Sequence, residues 1–301
     1  MKIKQPFEVT STKTISALIY GQSGMGKTTL ACSAPNPVLF DFDNGVDRLR
    51  QDHIVPTVQV SSWQDALDAL EEVRNGGNQF DTIIIDTASK MIDCITTHIC
   101  GERNPQIQQW GIINTTFKTY LRSIQQLGMN VVFVAQREIE KNGDVNRYVP
   151  QFRASNYKDV LCDLNVCAYL EMVTLQGKDV RQLTFDPTSR SEGKNTAGFL
   201  PSYIIPTLAV GQPNTFLEDR FAEYRQRQDE KEQQRAESLR KFDELAEEVE
   251  CCTDAPSLND LVANIAKAKL PGDVKVRIRQ TITNHAAKLG LTFNKEDKCY
   301  E

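Results

Sequence analysis

The sequence predicts an α/β fold with a mainly parallel sheet and a C-terminal helical extension. Three observations point there. Strand and helix signals alternate through the first two hundred residues, the pattern of a parallel sheet covered by helices. Residues 81–86 read Asp-Thr-Ile-Ile-Ile-Asp, a continuous β-branched run of the kind buried on both faces. Beyond the breaker Gly211-Gln212-Pro213-Asn214, strand signals stop and apolar residues recur at helical spacing.

Taken in order, residues 15–20 read as a buried first strand, followed by a glycine-rich turn and a helix to about residue 33. Residues 38–43 form a second short strand that ends in acids. Ser62 opens a helix with Asp65 as its capping partner, and Gly76-Gly77 stop it. Trp63, Ala66, Leu67, Leu70 and Val73 make its core-facing stripe. Residues 81–86 are the third strand. A glutamine-rich stretch from Asn104 leads into a helix ending near Gly128, and residues 131–135 are the fourth strand. Residues 165–174 and 180–186 read as a closing hairpin turned at Gln176-Gly177-Lys178.

In the C-terminal third, residues 225–238 are nearly all charged or glutamine, with Ala236 the sole apolar residue. That is a solvated helix. Apolar spacing returns at Leu239, Phe242, Leu245 and Val249. Leu258, Leu261, Val262 and Ile265 then share one helix face, and Val274, Ile278, Ile282, Ala286 and Leu289 another, across a Pro271-Gly272 turn. The expected organisation is a core over 1–212, a charged helical linker over 213–250 and a small helical hairpin domain over 251–301.

Bulk properties exclude several classes. The 301 residues are 40% hydrophobic and 25% charged, with a mean hydropathy of -0.42. No apolar run approaches the roughly 20 residues that cross a bilayer. Residues 1–14 contain no apolar block of the secretory kind, so a cytoplasmic protein without a membrane partner is expected. Eight cysteines occur without a CxxC pair, which implies reduced thiols. Cys94, His98 and Cys100 cluster, but no fourth ligand stands out. A net charge of -5 means that any nucleic-acid contact comes from a local patch.

The chemistry concentrates at Gly21-Gln22-Ser23-Gly24-Met25-Gly26-Lys27-Thr28, which matches G-x-x-x-x-G-K-[ST] between a strand and a helix. Such a loop curls backbone N–H groups around a β-phosphate, and the helix that continues through Thr29 points its positive end at the same anion. Lys27 is placed to bridge β- and γ-phosphates, and Thr28 to offer its hydroxyl to Mg²⁺. ATP and Mg²⁺ are therefore the expected ligands. Asp86, closing an apolar strand, is the expected acid of the magnesium site. Hydrolysis also needs a carboxylate to orient water. No acid directly follows Asp86, so Asp41 and Asp43 are the candidates, alternating along one strand face, with Asp43 favoured. Gln136, at the tip of the fourth strand, is placed to sense a γ-phosphate.

These pieces, in this order over residues 13–206, resemble the RecA-like P-loop ATPases. Within that group the chain resembles the short phage-encoded, core-only recombinases linked to single-strand annealing. The more discriminating piece is Phe40-Asp41-Phe42-Asp43-Asn44-Gly45-Val46-Asp47 with the Arg48-Leu49 that follows. The resemblance implies an ATPase that binds single-stranded DNA, assembles as a ring or filament, and works in a host cytoplasm, with a single-strand-binding protein as a further partner. It puts Asp43 at the position of a catalytic glutamate, and Gln136 at that of the glutamine coupling ATP to a DNA-binding loop. Lys194, with Arg190 nearby, takes the place of a cation reaching a neighbour's phosphates. Residues 137–158 correspond to the DNA-binding loop, with Arg137, Lys141, Arg147, Tyr148, Phe152, Arg153, Tyr157 and Lys158 as its cations and rings. Residues 100–109, with Arg103, are a second and weaker candidate.

Two alternatives share this core. One is a hexameric helicase-type motor or its loader. The other is an ATP-switched regulatory or assembly protein without a nucleic-acid role. A small-molecule kinase fits less well, because no arginine-rich acceptor lid is present.

Overall fold

In the computed structural model, which describes residues 11–77, 79–142, 145–152, 161–294 and 296–301, the chain divides into two units. The first runs from Lys13 to Arg225, past the boundary expected at 212. Its strands are β1 (Ser16–Gly21), β2 (Pro37–Asp41), β3 (Thr57–Gln59), β4 (Thr82–Asp86), β5 (Asn130–Asn142), β6 (Val145–Pro150), β7 (Val166–Leu175), β8 (Lys178–Thr184), β9 (Lys194–Asn195) and β10 (Ser202–Ile205). Its helices are α1 (Lys27–Ala31), α2 (Trp63–Asn75), α3 (Ala88–Cys100), α4 (Ile107–Gln126) and the start of α5 (Phe216–Cys251).

The sheet order is β10-β8-β7-β1-β5-β4-β2-β3. From β7 to β3 all pairings along this path are parallel, and β8 and β10 close the edge antiparallel. Strand alternation explains the apolar run of β4. Ile83 and Ile85 pack with α2, α3 and α4, while Ile84 packs on the other face with Leu30, Leu39 and Phe221. Both faces are covered, so no position in Thr82–Asp86 is exposed. Register then lines the functional strand ends up along one edge: Gly21 pairs with Gln136 and Leu170, and Asp41 pairs with Asp86.

Helix α2 forms the expected capping box, with Ser62 accepting from the Asp65 N–H and Asp65 accepting from the Ser62 N–H. Its buried stripe is Trp63, Ala66, Ala69 and Leu70. Leu67, expected inside, is 38% exposed, because the helix turns Ala69 toward the core instead. Helix α1 ends at Ala31 rather than near residue 33, where the chain passes into turns. The β7–β8 hairpin turns where expected, with Gln176 and Gly177 both at positive φ.

The second unit comprises residues 226–301 with the described residues 11 and 12. Helices α6 (Ala255–Lys267) and α7 (Gly272–Lys288) pack with the C-terminal part of α5 around Val249, Leu258, Ile265, Ile278 and Ile282. The linker expected over 213–250 is therefore not a separate segment: residues 216–251 form a single helix whose end belongs to this second core. No helix among the described residues is long and apolar enough to cross a membrane.

Candidate active site

The glycine-rich turn leaves β1 at the centre of the sheet. Gly21 must be glycine: a Cβ there would lie 2.3 Å from the Leu170 carbonyl oxygen on β7. Gly26 sits at φ +88°, in the left-handed region that favours glycine. Between them Gln22, Ser23 and Gly24 are exposed and Met25 is half-buried. Lys27 folds back across it, donating to the Gln22 carbonyl at 2.9 Å and to Gln136 Oε1 at 3.0 Å. Burial lowers the Lys27 pKa, partly offset by the nearby carboxylates of Asp86 and Asp43. With only five residues, α1 sums few peptide dipoles, so the loop N–H groups and Lys27 supply most of the anion attraction.

Thr28 donates its hydroxyl to Asp86 Oδ2 at 2.5 Å, bringing together the two residues expected at magnesium. Burial pushes the Asp86 carboxyl up to about 6, and Asp41 and Asp43 add to the rise against the opposing Thr28 bond and Lys27. A buried carboxylate crowded by two others is a site that a divalent cation would relieve. The hydroxyl and carboxylate oxygens are the hard donors that Mg²⁺ takes, so the residues fit the ion. The peptide joining Asp86 to Thr87 is cis. Cys32, close by, is no nucleophile, since burial and the two acids Asp86 and Asp41 push its thiol up to about 12.

The structure separates the two acids that the sequence left in competition. They do not share a strand face, because β2 ends at Asp41. Asp41 is buried and accepts the backbone N–H groups of Asp43, Gly45 and Val46 at 3.1, 3.1 and 2.9 Å. It therefore holds the turn. Asp43 lies within that turn, half-buried, with Arg48 at 3.8 Å, and its residue lines a cleft of about 650 Å³ with Gln136, Glu138 and Asp93. Of the two, only Asp43 lines this cleft.

Gln136 sits where β5 leaves the parallel sheet and continues as an antiparallel arm with β6. Its carbonyl accepts the Gln151 N–H at 2.7 Å, which ties the returning strand to the same residue that holds Lys27.

The residues expected to contact DNA are largely engaged within the fold. The Arg137 guanidinium donates to the Tyr169 hydroxyl at 2.9 Å and to Gln22 Oε1 at 3.2 Å, and lies 4.5 Å from the Tyr148 ring centre. Tyr148 stacks on Tyr169 at 5.4 Å. Phe152 is 7% exposed, part of the core. Arg147 pairs with Glu192 at 2.9 Å. Ring packing accounts for Tyr148 and Phe152, stacking and hydrogen bonds for Arg137, and an ion pair for Arg147. Lys141 remains exposed on the arm. Arg153, Tyr157 and Lys158 lie outside the described residues. Arg103 is exposed between α3 and α4.

Lys194 is likewise bound in its own chain, donating to the carbonyls of Leu161 and Cys162 at 2.7 and 2.8 Å. Arg190 is exposed. Sequence reading missed Arg181 on β8, whose Nε lies 3.9 Å from where a Cβ on Gly26 would be. Only the β7–β8 pairing brings it there, so no local motif could have marked it.

The profile of a family described as an AAA domain matches residues 13–197, spanning the phosphate loop, Asp43, Asp86 and Gln136. No curated protein matches the chain. Among solved structures, the flagellar accessory protein FlaH from Methanocaldococcus jannaschii is similar over 64% of this chain and 84% of its own, at 12% identity and a TM-score of 0.38.

Proposed function

The chain belongs to the AAA domain family and is a P-loop ATPase with a RecA-like α/β core, and from that premise we propose that it couples ATP hydrolysis to single-stranded DNA. The observation that carries the coupling is the Lys27–Gln136 hydrogen bond at 3.0 Å. A γ-phosphate reaching Lys27 competes with Gln136 for the same ammonium. Gln136 is also the root of the β5–β6 arm, so a change in its partner is felt at Gln151 and along the arm.

In this reading the loop N–H groups and Lys27 hold the triphosphate, and Thr28 and Asp86 hold the metal. Mg²⁺, when bound, neutralises charge on the phosphate oxygens. Asp43 orients the attacking water from the cleft side, in reach of Gln136. The arm binds single strands through exposed cations such as Lys141, in recombination or annealing of the kind the phage recombinase resemblance implies, with copies of the chain assembling around the strand.

The experiment is the ATPase rate and particle size of the full chain, with and without single-stranded DNA. Stimulation and assembly support the proposal. A rate and size indifferent to DNA sink the nucleic-acid half and leave the ATPase. One observation favours a second reading: Tyr148, Phe152, Arg137 and Arg147 are already satisfied internally, while Glu138 and Glu140 are exposed on the arm. An arm of that character suits an ATP-switched protein that contacts another protein, and DNA-independent hydrolysis is its signature.

A further inference from the structure

The phosphate loop has two flanks. Asp43, Asp86 and Gln136 lie on one. On the other is a cavity of about 320 Å³, bordered by Gly26, Thr29, Leu170, Arg181, Pro206 and Leu208. The nucleotide-site reading sets a direction: if the γ-phosphate end is marked by Asp86 and Gln136, the nucleoside leaves the loop past Gly26 and Thr29, into this cavity.

Three features suit it to that use. First, Arg181 is exposed beside Gly26, and among the described residues its guanidinium makes no hydrogen bond or ion pair. An unpaired cation next to an anion-binding loop has a ready partner in the phosphate nearest the nucleoside. Second, the lining combines apolar Leu170, Pro206 and Leu208, suited to a flat base, with polar Thr29, Thr207 and Asn214, suited to a sugar. Third, the outer wall is clamped. Arg50 donates to the carbonyls of Leu208 and Ala209 at 3.2 and 3.0 Å and to Asp52 Oδ1 at 2.6 Å. Asp52 Oδ2 in turn accepts the Gly211 N–H at 2.8 Å. Arg50 is thus occupied in holding the wall and acts as a positioning residue.

We infer that this cavity receives the sugar and base of the bound nucleoside triphosphate, that Arg181 binds its α-phosphate from within the same chain, and that the Arg50–Asp52 clamp holds the wall closed over the nucleoside. The inference rests on the ATP-site reading above. It makes the cation at the nucleoside end a resident one, independent of any neighbouring copy.

The test compares magnesium-ATP with inorganic tripolyphosphate, titrated calorimetrically into the full-length protein. Arg181→Ala weakens ATP about tenfold, and Arg181→Lys recovers part of the loss. Arg50→Ala weakens ATP severalfold and leaves tripolyphosphate at wild-type affinity, because the clamped wall touches only the nucleoside. Wild-type ATP affinity in both alanine variants, with binding still lost in Lys27→Ala, overturns the inference and leaves the ATP site standing. An equal loss of ATP and tripolyphosphate in Arg50→Ala also overturns it, as the clamp would then serve the whole fold. If the wild-type chain binds neither compound, the ATP-site reading falls as well.

Discussion

The two flanks of the phosphate loop are opposites in charge. On the γ-phosphate side Asp41, Asp43 and Asp86 gather within one site, with Asp93 and Glu138 along the adjoining cleft. On the nucleoside side the charged groups lining the cavity are Arg50, which pairs with Asp52, and Arg181. The difference separates the two tasks of a nucleotide site. The acidic flank cannot hold a polyphosphate alone; it needs a cation, and it is where water must be oriented. The basic flank can hold the phosphate–sugar junction directly and needs no chemistry.

Lys27 stands between the flanks, so removing it has the largest effect. Lys27→Ala is expected to lower turnover and nucleotide affinity by roughly 100-fold or more, since a buried charge-assisted contact and its Gln136 bond go together. Near-normal ATPase in that variant would mean that the loop is not the site.

The acidic flank is divided by replacing its acids in turn. Asp43→Asn should cut kcat by about 100-fold while sparing ATP affinity, as loss of a water-orienting carboxylate does. Asp41→Ala should instead lower stability by about 3 kcal/mol, because three backbone N–H groups lose their acceptor. Denaturant unfolding and steady-state kinetics on both variants separate the roles, and the reverse pattern would exchange them.

Asp86 gives a smaller effect of opposite sign. Its folded carboxyl titrates near 6, above its ordinary value, so the folded protein binds this proton more tightly than the unfolded chain. The buried charge therefore costs stability as pH rises through that range. Asp86→Asn removes the cost and should stabilise the nucleotide-free protein by roughly 1–2 kcal/mol at pH 8, with the advantage fading as pH falls below 6. Magnesium-dependent ATP binding should be lost in the same variant. Thermal melts across pH would expose the error if the variant were less stable throughout.

The smallest expected change is on the arm. Lys141→Ala should weaken single-strand affinity only a fewfold and flatten its salt dependence slightly, consistent with one phosphate contact. Salt-independent binding would assign the strand to some other surface.

Much of this was legible in the residues because the signals are local. The run Thr82–Ile85 demands two covered faces, the Gly21–Thr28 spacing demands a phosphate loop, and Ser62 with Asp65 demands a helix start. Each depends on neighbours within a few positions, where backbone geometry and periodicity leave few choices. What only the tertiary structure decided concerns partners far apart in sequence. Asp41 and Asp43 look alike in the chain, and only the fold of the turn makes one a brace and leaves the other facing the cleft. Tyr148 and Phe152 have the composition of stacking residues, yet packing against Tyr169 and the core turns them inward. Lys194 finds two carbonyls 33 and 32 residues away, and Arg181 reaches Gly26 across β7. Side-chain type sets what a residue can bond to; which partner comes within reach is set by strand register and by the burial that makes an unpaired charge expensive.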